Sequence, residues 1–228
     1  MSSYPILWSF RRCPYAMRAR ATILDCGIKV EMREIMLKDK PDEFIAASSK
    51  ATVPVLVLPS GKVIDESQDV MFWALEKSGD PHNWLAGYLH DRKLWSAYLD
   101  ELQGPFKAAL DRYKYSTRFA DTDDEAAGIK QQNRQEGSEF LEKINDMLAD
   151  TGFLADSQFG LVDAASLPFI RQFRIADPDW FDAQDWPHLH HWLQSFLVSE
   201  LFRTIMEKFP VWQRGDEPRI WGGCETKF

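Results

Sequence analysis

The sequence predicts an α/β domain of element order βαβαββα, followed by an all-α helical domain. Strand-like and helix-like segments alternate through the first eighty residues, glycine and proline interrupt both periodicities at 78–81, and strand signals largely disappear beyond that point. A length of 228 residues fits two domains, because domains of roughly 100 to 150 residues are the commonest size. We expect one domain at 1–80 and a second at 86–228, the second ending in an irregular C-terminal tail.

The elements of the first domain follow from local patterns. The apolar run Ile6-Leu7-Trp8 predicts a strand, and Cys13-Pro14 opens a helix because proline suits a first helical turn; Gly27 is its expected C-terminal cap. The segments that follow are a strand at 29–35, a short helix at 41–47, a buried strand at 55–58, its hairpin partner at 63–64, and a helix from 67 to about 77. A parallel βαβ unit followed by an antiparallel hairpin and a closing helix is a thioredoxin-like arrangement.

The second half shows helical periodicity. A long amphipathic helix is predicted from Asp91 to Tyr115, and Thr122 with Glu125 forms a capping box that begins another. Further helices are predicted at about 162–175 and 187–209, before a tail at 215–228 that carries Trp221.

Composition excludes several classes of function. A formal net charge of −8 disfavours nucleic acid as a partner, because phosphate backbones are bound mainly by lysine and arginine. The N-terminus lacks the regions of a signal peptide, and no apolar run approaches the roughly 20 residues that cross a bilayer, so we expect a cytoplasmic protein with no membrane association. His188, His190 and His191 have no recognised ligand spacing, and we therefore expect no metal site.

The cysteines are expected to be free thiols. Cys13, Cys26 and Cys224 are odd in number and lack framework spacing. Cys13 stands out because the amides and dipole of a helix start stabilise a thiolate, and four arginines surround it in the sequence: Arg11, Arg12, Arg18 and Arg20. Arg11 and Arg12 in particular are expected to raise the local potential and to lower the pKa of the thiol. The alternative is a small buried cysteine beside an incidental basic patch. The Cys-Pro-Tyr context after a strand favours the reactive thiol.

The run Cys13-Pro14-Tyr15-Ala16 resembles the active-site start of glutaredoxins and of cysteine-type glutathione S-transferases, especially the omega-like ones. The resemblance implies a glutathione transferase fold, glutathione as co-substrate, a small hydrophobic or disulfide second substrate, and a homodimer. Glutaredoxins often carry a second cysteine where this chain has Ala16. The expected cycle is therefore monothiol, with a second glutathione resolving the mixed disulfide.

The same resemblance extends to residues in three other segments. It implies a cis-proline at Pro54 facing the thiol, and backbone pairing of Val53 with the cysteinyl part of glutathione. It further implies that Glu66 meets the γ-glutamyl ammonium, that Ser67 meets the γ-glutamyl carboxylate, and that Lys40 meets the glycyl carboxylate. In isolation these residues have ordinary alternatives, namely a proline that begins a strand, helix caps, and a solvated lysine.

The resulting hypothesis is an omega-like glutathione transferase that performs thiol transfer or reduction. Cys13 would attack a mixed disulfide or a glutathionyl adduct, and free glutathione would resolve it. Reduction of dehydroascorbate and removal of glutathione from conjugates both fit. One alternative is conventional conjugation, in which Cys13 only hydrogen-bonds the glutathione thiolate. Another is a non-enzymatic binding or regulatory module of the same fold.

Overall fold

The computed structural model describes residues 3–223, which divide into two compact units. Among the described residues, the first unit contains 3–85 together with 197–223, and the second spans Ala86–Phe196. The sequence assigns the whole of 86–228 to the helical domain, whereas the chain over 197–223 packs with the first unit.

The first unit begins with the predicted βαβαββα order. Its elements are β1 (Ile6–Ser9), α1 (Pro14–Asp25), β2 (Val30–Glu34), α2 (Asp42–Ala47), β3 (Val55–Val57), β4 (Val63–Ile64) and α3 (Ser67–Ser78). Strand β1 pairs in parallel with β2 and antiparallel with β3, and β3 pairs antiparallel with β4. The thioredoxin-like arrangement is confirmed.

The second unit is helical. Its helices are α4 (Ala86–His90), α5 (Arg92–Glu101), α6 (Lys107–Lys114), α7 (Asp123–Thr151), α8 (Leu161–Ala176), α9 (Pro178–Asp182) and α10 (Pro187–Val198). Helices α5 and α6 are joined by a π-helical turn at Leu102–Phe106 that contains Pro105, so the predicted long helix is present with a local irregularity. None of the helices within residues 3–223 combines the length and apolar character needed to cross a bilayer.

The chain after α10 returns to the first unit. The helix predicted over 187–209 is interrupted at Ser199, which is extended, and whose hydroxyl accepts a hydrogen bond from the Phe202 amide to begin α11 (Glu200–Ile205). Strand β5 (Ile220–Trp221) then pairs antiparallel with β2, giving the sheet order β4-β3-β1-β2-β5. The expectation of an irregular tail was wrong at these two residues. So short a strand shows no alternation of apolar and polar residues in the sequence, and it forms because it pairs with the edge of β2.

Helix α1 is buried on every side. Helices α3 and α11 both pack against it, and eleven of its twelve residues are buried. Three of them are charged: Arg18, Arg20 and Asp25, none more than 2 % exposed. Since burying an unpaired charge is costly, each must find a partner inside the protein.

A buried carboxylate organises the start of α8 in the second unit. Asp163 is fully buried and accepts three hydrogen bonds, from the amides of Leu154 and Gly160 at 3.0 Å each and from the indole Nε1 of Trp192 at 2.9 Å. It thereby joins the loop before α8, the first turn of α8 and helix α10.

Replacement of Asp163 by alanine should destabilise the protein strongly. It leaves three buried N–H donors without their acceptor, at about 1–3 kcal/mol for each, so we expect the free energy of unfolding to fall by about 3 kcal/mol or more. Chemical denaturation measures this. Asp146→Ala, at an exposed position on α7, is the control and should stay within about 0.5 kcal/mol of wild type. Equal effects of the two substitutions would contradict the role given to Asp163.

Candidate functional site

Cys13 occupies the N-terminal cap of α1, as predicted. Its backbone is extended, with φ −75° and ψ 125°. Its amide donates to the carbonyl of Phe10 at 3.0 Å, and its carbonyl accepts from the amide of Met17 at 2.9 Å. The residue is half-buried. Its cap position puts the thiol at a helix start, where backbone N–H groups have no partner within the helix.

The thiol faces the segment before β3. The Val53–Pro54 peptide bond is cis, as expected for this proline. Cys13 Sγ lies 3.7 Å from the carbonyl oxygen of Val53, within reach of an S–H donor. Both residues pack on one apolar cluster that includes Trp8 and Phe44. The fold therefore joins two segments forty residues apart into one corner of the first unit.

Ser67 begins α3 and is held by Arg18. The guanidinium donates to the Ser67 hydroxyl oxygen through Nε at 2.9 Å and Nη2 at 2.7 Å, and both side chains are buried. A serine oxygen has two acceptor sites, so both are occupied and the O–H hydrogen remains available to a further acceptor. Burial lowers the pKa of the guanidinium to about 10, and three neighbours act in the opposite direction: Tyr15, Cys13 and Glu66. Arg18 therefore stays cationic at neutral pH.

The residue before Ser67 has a cationic partner from within the chain. Lys50 Nζ pairs with Glu66 and lies 3.5 Å from Asp65 Oδ1. These contacts, with Glu66 the largest, raise the pKa of Lys50. Sequence reasoning did not identify Lys50, because nothing in the local pattern distinguishes it from a solvated lysine.

Lys40 lies just before α2, as expected, after a tight turn at Met36–Asp39. Within residues 3–223 its side chain makes no hydrogen bond or ion pair. The structure thus connects Cys13 directly with Val53, which precedes Pro54. Arg18 bonds to Ser67 and interacts electrostatically with Cys13 and Glu66, and no such connection is present for Lys40 within residues 3–223.

The arginines near Cys13 make contacts with several parts of the first unit. Arg11 directs its guanidinium to the carbonyl of Met206 at 3.2 Å, and the guanidinium of Arg12 lies over the Phe10 ring. Arg18, five residues along the helix and one of the four arginines singled out from the sequence, has an electrostatic interaction with Cys13. Its burial and its bonds to Ser67 could not be predicted from spacing, because they depend on how the whole helix is packed.

Cys26 is a poorer candidate for chemistry than Cys13. Cys26 is 8 % exposed at the far end of α1, and burial raises its pKa to about 12. Cys224 lies outside the described residues. Among residues 3–223, no group of three or more histidine, cysteine or acidic side chains is arranged to hold a metal ion.

Comparison with known families gives two matches. Residues 7–82 match the family model described as the N-terminal domain of glutathione S-transferase, and residues 124–195 match the model of the C-terminal domain of the same family. Glutathione S-transferase omega-1 of Sus scrofa is 23% identical over 205 residues, which cover 90% of this chain and 77% of that protein.

Solved structures show the same architecture. The Tau class glutathione S-transferase of mango, Mangifera indica, superposes with a TM-score of 0.73 at 20% identity, over 91% of this chain and 94% of that one. A glutathione transferase family member from Pseudomonas fluorescens, solved with two glutathione molecules bound, superposes with a TM-score of 0.74 at 16% identity, over 90% and 93%. At these identities the likeness establishes the fold.

The two described cysteines should differ in reactivity. Iodoacetamide at neutral pH should modify Cys13 in the folded protein and leave Cys26 unmodified, because a thiol with a pKa of about 12 is almost entirely protonated there and is also buried. Peptide mapping by mass spectrometry measures both sites. Denatured protein, in which both should react, is the control. Comparable labelling of the two in the folded state would contradict the assignment of Cys13 as the accessible nucleophile.

Proposed function

We propose that this chain, which belongs to the glutathione S-transferase family, transfers thiol groups to and from glutathione with Cys13 as its nucleophile. The observation that carries the proposal is the position of Cys13 Sγ, at the start of α1 and 3.7 Å from the carbonyl oxygen of Val53, ahead of a cis-proline. A thiol at this point lies beside both the amides of a helix start and the backbone carbonyl of a neighbouring segment.

The proposed reaction has two exchanges. The Cys13 thiolate attacks the glutathionyl sulfur of a mixed disulfide, forming the Cys13–glutathione disulfide and releasing the second substrate as a thiolate that takes a proton from water. A glutathione thiolate then attacks the glutathionyl sulfur on Cys13, producing oxidised glutathione and restoring the Cys13 thiolate. Ala16 and the buried Cys26 supply no resolving thiol, which is why the second glutathione is required.

Glutathione binding is proposed to use the residues around the thiol. The backbone of Val53 would pair with the cysteinyl part. The Ser67 hydroxyl, whose acceptor sites are occupied by Arg18, would donate its hydrogen to the γ-glutamyl carboxylate. The ammonium would bind Glu66 in exchange for Lys50, so one internal ion pair is replaced by another. Lys40 would meet the glycyl carboxylate.

Conventional conjugation is the second candidate. It is favoured by the donor role that the Cys13 thiol takes toward the Val53 carbonyl, because the same S–H could instead stabilise a glutathione thiolate that attacks an electrophile directly. The second substrate is a disulfide or adduct in the first mechanism and a small hydrophobic electrophile in the second. A homodimer is the assembly that the family resemblance implies for either.

Exposure to oxidised glutathione should separate the two mechanisms. Intact-mass spectrometry is expected to show one glutathione adduct on the wild type and on Cys26→Ser, and none on Cys13→Ser, because Cys13 is the accessible one of the two described cysteines. If Cys13→Ser conjugates a model electrophile to glutathione at an undiminished rate, the proposed covalent role of Cys13 is wrong. Persistence of the adduct in Cys13→Ser would place the chemistry on another thiol.

Substitution of Glu66 should weaken glutathione binding without slowing the chemical step. Glu66→Gln removes the charge proposed to meet the ammonium, and because this side chain is 59% exposed the loss should be about 1 kcal/mol, or about fivefold in KM for glutathione. Steady-state kinetics give kcat and KM separately. Glu76→Gln, an exposed position at the other end of α3, is the matched control. An unchanged KM in Glu66→Gln would contradict the proposed ammonium contact.

A further inference from the structure

A buried carboxylate lies next to the loop that carries Cys13. Glu34 is the last residue of β2 and is 8 % exposed. Its Oε1 accepts a hydrogen bond from the backbone amide of Arg11 at 2.6 Å, and its Oε2 accepts one from Arg20 Nη2 at 3.1 Å. The two oxygens therefore hold two different parts of the chain, the loop after β1 and the middle of α1.

The Arg11 amide belongs to the short connection between β1 and Cys13. Residues 10–12 form this connection, and the Cys13 amide is bonded to the carbonyl of Phe10 within it. The amide that Glu34 holds is thus two residues from the thiol and lies inside the same turn. Any change in the position of this turn changes how Cys13 enters the first turn of α1.

The C-terminal segment fixes Glu34 from its other side. The backbone carbonyl of Glu34 accepts from the amide of Trp212 at 2.8 Å. The guanidinium of Arg20 donates to the carbonyl of Ile205 at 3.0 Å, and Arg11 donates to the carbonyl of Met206 at 3.2 Å. These carbonyls end α11, where the helix dipole favours cations.

We propose that Glu34 is a positioning residue for Cys13, which it orients by holding the Arg11 amide against a strand that the C-terminal segment keeps in place. The inference rests on the proposed function of Cys13 as nucleophile. Glu34 touches neither the thiol nor the proposed glutathione site, and it acts through the turn at residues 10–12.

The charges around Glu34 determine how the test must be controlled. Burial raises the pKa of Glu34, while Arg20 and Arg11 act in the opposite direction. Removing the carboxylate also leaves Arg20 buried without its ion pair. A Glu34 variant is therefore expected to lose stability whether or not Glu34 positions Cys13 in the wild type. The control must therefore lose a comparable ion pair without touching the turn.

Glu31 provides that control. It lies on the same strand, its side chain is 4% exposed, and it pairs with Arg33 through Nε at 2.7 Å and Nη2 at 2.6 Å. Glu31→Ala removes a buried ion pair from β2 and leaves the Glu34 contacts intact. Glu34→Gln adds a conservative variant, because it retains an oxygen of the same reach for the Arg11 amide.

The test measures the rate at which iodoacetamide alkylates Cys13 as a function of pH. Mass spectrometry of the peptide that contains Cys13 gives this rate, and circular dichroism checks that each variant is folded under the conditions used. At pH 7 we expect Glu34→Ala to react about tenfold more slowly than wild type, since a thiol displaced from the helix start loses stabilisation of its thiolate and a rise of about one unit in its pKa lowers the thiolate fraction about tenfold. The midpoint of its pH profile should move upward. Glu34→Gln should recover most of the rate, and Glu31→Ala should react as wild type does.

Partial unfolding is recognised at Cys26, which it exposes and makes reactive, whereas a change confined to the turn at residues 10–12 leaves Cys26 unmodified. A wild-type rate and pH midpoint in Glu34→Ala, with a loss of stability like that of Glu31→Ala, would show that Glu34 is only structural and would overturn the proposal. A Glu34→Gln variant as slow as Glu34→Ala would overturn the hydrogen-bond assignment. Since alkylation needs no glutathione, a protein that forms no glutathione adduct but shows these rates would refute the proposed function and leave the positioning role intact.

Discussion

The burial of α1 on every side is the constraint on which the first unit depends. A helix at the surface can direct its charged residues to water, but Arg18, Arg20 and Asp25 of α1 are enclosed. Each is therefore matched by a polar partner from elsewhere in the chain. Arg18 meets Ser67 of α3, Arg20 meets Glu34 of β2 and the end of α11, and Asp25 meets His82 Nδ1 at 2.9 Å.

These partners connect the stability of the unit to its candidate site. Cys13 begins the helix, so whatever fixes α1 also fixes the thiol. Arg18 orients the Ser67 hydroxyl at the start of α3, and the contacts of Glu34 extend to the turn before Cys13. A buried charge that is necessary for packing thus also places a group that is proposed to bind glutathione. The same residues serve both purposes because the site is built at the end of the most enclosed helix.

The C-terminal segment completes this arrangement. Strand β5 covers the edge of β2, which would otherwise present unpaired backbone groups. Arg33 lies between two indole rings, with its guanidinium carbon 4.8 Å from the centre of Trp8 and 4.6 Å from that of Trp212. Trp8 belongs to the apolar cluster on which Cys13 packs. The last part of the chain therefore supports the same core as the first, even though the helical unit separates them in sequence.

The sequence by itself determined what depends on neighbouring residues. The βαβαββα order, the cap position of Cys13 and the start of α3 at Ser67 follow from local patterns of apolar residues, glycine and proline, and the cis bond before Pro54 was implied by the family resemblance. Only the tertiary structure decided the partners of the charged side chains. Arg18 with Ser67, Lys50 with Glu66, Glu34 with the Arg11 amide, and the strand at the C-terminus are contacts between distant segments. Charged residues are expected at the surface when only the sequence is known. The packing of α3 and α11 around α1 buries Arg18, Arg20 and Asp25 instead, because burial depends on the elements that surround a helix and not on the helix alone.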